Sequence, residues 1–158
     1  MKKLIGALFC ALLLAFTTSC SAPKNNPKQL IRDTTWAPMF VLGTKNVKIP
    51  NGEGAPVFLH ISNDYKLSGL SGVNRFFGSC ALERKKLRPS ECKIKCSGIG
   101  ATKMAGEFSE YESKFLQALK EADTLRLSAN HLELMKGRKL LIELRRIPNI
   151  DMAVKSAN

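Results

Sequence analysis

The sequence predicts an α+β fold, mostly β: a curved antiparallel sheet or a partly closed small β-barrel with one α-helix packed against it. Three observations predict it. Short apolar runs with period-two alternation recur through residues 34–146, separated by Gly, Asn, Asp and Ser turns. A single stretch, residues 108–122, has helical spacing. Glycines interrupt the extended run at residues 67–79 (LSGLSGVNRFFGS), as they do at bulges, sharp bends and close backbone approaches.

Residues 1–19 read as a lipoprotein-type signal peptide. Lys2 and Lys3 form a basic n-region, and residues 4–16 are an uncharged apolar run. That run falls short of the about 20 residues a spanning helix needs and fits a signal-peptide core. Small residues precede Cys20 in TTSC, so Cys20 is the expected lipidation site, although Thr17 stands where such sites usually carry leucine. The alternative is cleavage near Ala22, which gives a soluble periplasmic or secreted protein. Ser21, not Asp, follows Cys20, which resembles the sorting pattern of an outer-membrane lipoprotein facing the periplasm. More than one acyl chain on Cys20 makes a stable anchor. Residues 20–33, with two prolines and few large apolar side chains, read as a tether.

The first strand is residues 35–42, with the single tryptophan, Trp36, in the core and Pro38 at an edge or bulge. A loop with a short strand at 47–49 leads to a strand at 56–61, then a hairpin to 66–70. His60 is read as a structural histidine of this strand. Residues 75–82 form the next strand, and residues 89–98 a long connection. In the helix, Phe108, Tyr111, Phe115, Ala118, Leu119 and Ala122 make one apolar face, with Ser109 and Glu112 as a capping box. Residues 124–128, 132–135 and 140–146 complete an antiparallel meander, and residues 147–158 read as a flexible tail.

The segment containing Gly69, Gly72, Asn74, Arg75, Phe76 and Gly78, answered by Thr102, Lys103 and Met104 in ATKMAG and then by a helix, resembles the META domain of HslJ-type bacterial envelope lipoproteins. The resemblance covers residues 34–146. It implies a strongly curved sheet with a packed helix, and association with envelope stress tolerance without an assigned reaction. The family often carries cysteines where Val73 and Gly106 stand here, consistent with loss of a bridge between the two segments.

Cys80, Cys92 and Cys96 are disulfide candidates in an exported domain. Cys92 and Cys96 lie about 13 Å apart if their segment is extended, too far to join. This favours Cys80 with Cys92 or Cys96. A zinc site lacks C-x₂-C spacing and a fourth ligand, so no metal or other cofactor is expected.

With 25 Lys and Arg against 13 Asp and Glu, the net charge is +12. Such a surface suits anionic lipid or polysaccharide; export argues against nucleic acid. The two histidines, His60 and His131, lie near no nucleophile–acid arrangement, and no hydrolase, metalloprotease or nucleotide-binding motif appears, so no catalytic residue is assigned. The functional expectation is an exported, lipid-anchored envelope protein with a non-enzymatic accessory role in envelope integrity or stress tolerance. The alternatives are a module binding a small ligand or cell-wall fragment, or a secreted inhibitor or partner-binding domain using Asn74 and Arg75.

Overall fold

The computed structural model describes residues 26–50, 57–84 and 90–148. The signal peptide, Cys20 and most of the tail lie outside these residues, as do Lys85, Lys86 and Arg88.

Eight antiparallel strands follow one another around a closed barrel: β1 (Thr34–Val41), β2 (Phe58–Ile61), β3 (Lys66–Leu70), β4 (Arg75–Arg84), β5 (Glu91–Ala101), β6 (Thr124–Ser128), β7 (His131–Lys136) and β8 (Lys139–Ile147). The eighth strand pairs with the first, Trp36 opposite Arg146 and Val41 opposite Ile142. Closure leaves no sheet edge to recruit another chain. It also settles the position of Pro38. With no edge available, the proline sits at a register shift between Pro38 and Phe40, where the ladder can tolerate a missing donor.

The barrel interior follows from alternation. Phe76, Cys80 and Leu82 of β4, Cys92 and Ile94 of β5, Leu132 and Leu134 of β7, and Ile142 and Leu144 of β8 are all buried. Trp36 is buried too, and its indole N–H donates to Thr34 Oγ1 at 2.8 Å, so the one polar atom of the ring is satisfied. Two helices close the structure among the described residues: α1 (Pro27–Leu30) beside the start of β1, and α2 (Ser109–Glu121) between β5 and β6.

Several expectations are corrected here. Residues 47–49 form no strand. The long connection at 89–98 is mostly strand: β5 runs for 11 residues and pairs with β4 from Phe76–Ala101 to Arg84–Cys92. Its mixed polar sequence hides this, because Lys93, Lys95 and Ser97 face outward while Cys92, Ile94 and Cys96 point in. The tether reading also fails for residues 27–33. Ile31 is fully buried, the Tyr65 hydroxyl donates to the Lys28 carbonyl at 3.0 Å, and Arg32 Nε donates to the Asn63 carbonyl at 2.7 Å. These contacts dock α1 onto the β2–β3 hairpin.

Gly69 is required by close approach. A β-carbon there would lie 1.9 Å from the Phe58 carbonyl oxygen and 2.7 Å from Phe76 Cε1. The backbone oxygen cannot yield without breaking the β2–β3 ladder. Gly69→Ala is therefore expected to destabilise the protein by about 3 kcal/mol or more, read as a lowered midpoint in urea unfolding; a change within about 0.5 kcal/mol contradicts the packing.

Candidate functional site

The motif segments of the sequence meet at one corner of the barrel, where β3 turns into β4 and the chain leaving β5 passes beneath α2. Asn74 is buried at its centre. Its Oδ1 accepts from Thr102 Oγ1 at 2.7 Å and from the Met104 N–H at 2.8 Å. Its Nδ2 donates to the Met104 carbonyl at 3.0 Å and to Glu112 Oε1 at 2.8 Å. All four hydrogen-bonding capacities of the amide are thus used.

Glu112 completes the corner from the helix. Its Oε2 accepts from the Asn74 backbone N–H at 2.8 Å and from Ser71 Oγ at 2.7 Å. The Ser71 N–H donates to the Asn74 carbonyl at 3.0 Å, closing the β3–β4 turn. The predicted capping box is therefore overturned. The residue at the helix cap is Phe108, with no side-chain bond, and Ser109 Oγ instead donates to the Gly106 carbonyl at 2.7 Å. Glu112 is more strongly used by three converging donors than by a single exposed amide.

The remaining motif residues serve this corner in different ways. Gly72 has φ +120°, and a β-carbon there would come within 3.2 Å of Phe108 and 3.1 Å of Pro50, so the turn and the helix entry both need its bareness. Phe76 lies beneath α2, its ring 5.6 Å from that of Phe115 in an edge-to-face contact. Gly78 pairs with Leu67 across β3–β4. The Arg75 carbonyl accepts from the Thr102 N–H at 3.0 Å, while the Arg75 side chain is exposed. Lys103 and Met104 face solvent, Met104 at 61% exposure, and Phe77 on the outer face of β4 is equally exposed. Val73 and Gly106 do meet. A β-carbon on Gly106 would lie 3.6 Å from that of Val73, within disulfide range, so a valine–glycine contact occupies the place where the family resemblance implies a bridge.

The three cysteines gather inside the barrel, away from this corner. Cys80 and Cys96 are directly opposite in the β4–β5 register, and Cys92 is two inward positions further along β5, beyond Ile94 and opposite Arg84. Among the described residues no disulfide is present, so the predicted bond is not formed in this structure. Burial pushes the Cys80 thiol up to about 11 and the Cys96 thiol up to about 12, with neighbouring thiols adding to each. Burial also raises the Tyr111 hydroxyl to about 12. No cluster of metal-ligating side chains occurs among the described residues. His60 Nδ1 lies 3.0 Å from Thr35 Oγ1, and His131 faces Glu143 at 3.5 Å.

The META domain family model matches residues 28–146, and the chain belongs to that family. Two solved structures are similar. An NMR structure of a protein from Burkholderia xenovorans is 25% identical, covering 78% of this chain and 90% of its own, with a TM-score of 0.59. A second NMR structure, 22% identical, covers 75% of this chain and 92% of its own at a TM-score of 0.52, and shows the fold alone. No curated protein matches.

Two outcomes follow from the corner and the thiols. Asn74→Ala and Glu112→Ala are each expected to cost about 3 kcal/mol, and the double variant less than their sum by about 1–2 kcal/mol, because both remove the same bonds. Additive losses in denaturant unfolding contradict the coupling. In reduced protein, Cys80, Cys96 and Tyr111 stay protonated in the fold at pH values where the unfolded chain ionises. Their contribution is complete below about pH 8.5, the ordinary thiol value. Stability then declines as pH rises towards 11–12; unfolding midpoints that stay flat from pH 8 to 11 contradict it.

Proposed function

We propose that this META domain is an exported envelope lipoprotein, held through Cys20 at the periplasmic face of the outer membrane, and that it acts by contact without turnover. The observation that carries the reading is the use of the motif residues. Asn74, Ser71 and Glu112 spend their polar groups on one another and on Met104, fastening a helix to a barrel. A carboxylate saturated by three donors is poorly placed to exchange protons with a substrate. What the corner offers outward is surface: Phe77, Met104, Arg75 and Lys103. The basic surface, including Lys93, Lys95, Arg138 and Lys139, suits anionic lipid or polysaccharide.

Export also gives the paired thiols a role. The Cys80 N–H donates to the Tyr65 carbonyl at 2.9 Å, toward β3. Towards β5, Cys80 is thus a non-hydrogen-bonded position, and its opposite residue is Cys96. Such pairs bring Cα atoms to about 4.5 Å, inside the range a disulfide spans. In an oxidising compartment the two thiols would pass two protons and two electrons to an exchanging disulfide, and the new bond contributes about 3 kcal/mol. The high thiol pKa values favour closure before the barrel is complete.

Mass spectrometry of the mature protein from membranes tests both statements. The expected result is a chain beginning at a diacylglyceryl-modified Cys20, with a non-reduced peptide joining Cys80 to Cys96. A mature chain starting after Ala22 overturns the anchor. Three alkylatable thiols, or a link through Cys92, overturn the pairing.

A further inference from the structure

Opposite the motif corner, where α1 meets the start of β1 and the β6–β7 turn, the barrel wall opens into a cleft of about 590 Å³. Leu30, Trp36 and Leu127 provide apolar lining, and Ser90, Ser128 and Arg146 bring polar groups to the same space. This volume lies within the range of small-molecule sites, which combine an apolar lining with a few converging polar groups.

The charges around the cleft are unequal. Arg126, on the outer face of β6, holds Glu91 and Glu133 at 2.9–3.0 Å, and Glu143 faces His131 at 3.5 Å. Arg146 has no side-chain acceptor among the described residues, and the adjacent Arg145 is exposed as well. Nearby carboxylates are therefore already engaged, while a guanidinium at the cleft is not. Leu30 stays 44% exposed at its rim, an apolar surface that a ligand would take out of water.

We propose that this cleft binds a small amphiphilic anion, its phosphate or carboxylate head on Arg146 and the Ser90 and Ser128 hydroxyls, and its apolar body against Leu30 and the edge of Leu127, over the buried Trp36. A guanidinium fork suits such a head because it can give two parallel N–H bonds to one oxyanion. The site is built from the barrel and α1, and its binding is tested independently of the state of Cys20.

Trp36 is the single tryptophan of the chain and lines the cleft, which makes its fluorescence a direct reporter. The purified full-length protein would be titrated with decyl phosphate below its micellar concentration, with decanol, and with inorganic phosphate. A saturable Trp36 change with decyl phosphate is expected, at least tenfold weaker with decanol and with phosphate. Arg146→Gln and Leu30→Asp, both at exposed positions, should each weaken it about tenfold with unchanged circular dichroism and melting temperature. Absence of a saturable change, or equal affinity in wild type and both variants, overturns the proposal. A response to phosphatidylglycerol vesicles without one to decyl phosphate also overturns it, and assigns Arg146 to a bilayer surface.

Discussion

The carboxylate of Glu112 is the point on which this fold turns. It lies on the only long helix among the described residues and accepts from Ser71 and from both nitrogens of Asn74, on the opposite side of the polypeptide in sequence. Half-buried and multiply hydrogen-bonded, it makes the helix part of the barrel instead of an appendage. Everything set by the helix then follows. Tyr111 and Phe115 stack with centroids 6.4 Å apart, Phe115 meets Phe76, and Leu119 completes the core below them. A bond of this kind is strong because the acceptor is ionised and several donors converge on it. It is also exacting, since losing one member strands the others away from water.

The second constraint is closure. Eight strands return to their starting point, so the usual defences of an open sheet are unnecessary and the surface charge is free for other work. A closed barrel must be filled or must hold something. Large side chains and three cysteines fill this one. Two of its clefts are at the rims, where α1 meets β1 and where the loop after β1 leaves the wall. The two ends have different characters: one is locked by the Asn74 network, the other joins a buried tryptophan to an arginine that makes no ion pair among the described residues.

Membership of the META family and the barrel shared with two NMR structures define the protein's class. They assign no reaction. The motif residues of that family have a clear physical reading here: they build a corner. This explains why a segment with Asn, Arg and two phenylalanines can look like a site and yet direct its polar atoms inward. The outward-facing members, Arg75, Phe77 and Met104, remain the part of the motif available to a partner.

Much of the architecture was legible because alternation and helical spacing are local properties. Trp36 in the core, the hairpin at 66–70, the apolar face of α2 and the final meander all follow from side-chain period. The strand β5 was not, since its outward lysines and serine mask the inward residues, and α1 was not, since a single turn of helix carries no period. The partner of Glu112 was beyond local reading altogether: a carboxylate three residues after a serine suits a capping box equally well. The chain alone determined which residues must be hidden and which segments bend, because those choices are made within a few neighbouring residues. Only the folded barrel decided that Glu112 reaches Asn74, that Cys96 faces Cys80 and that Arg146 stands beside Trp36, because each pair is brought together by register across strands or by a helix returning from far along the sequence.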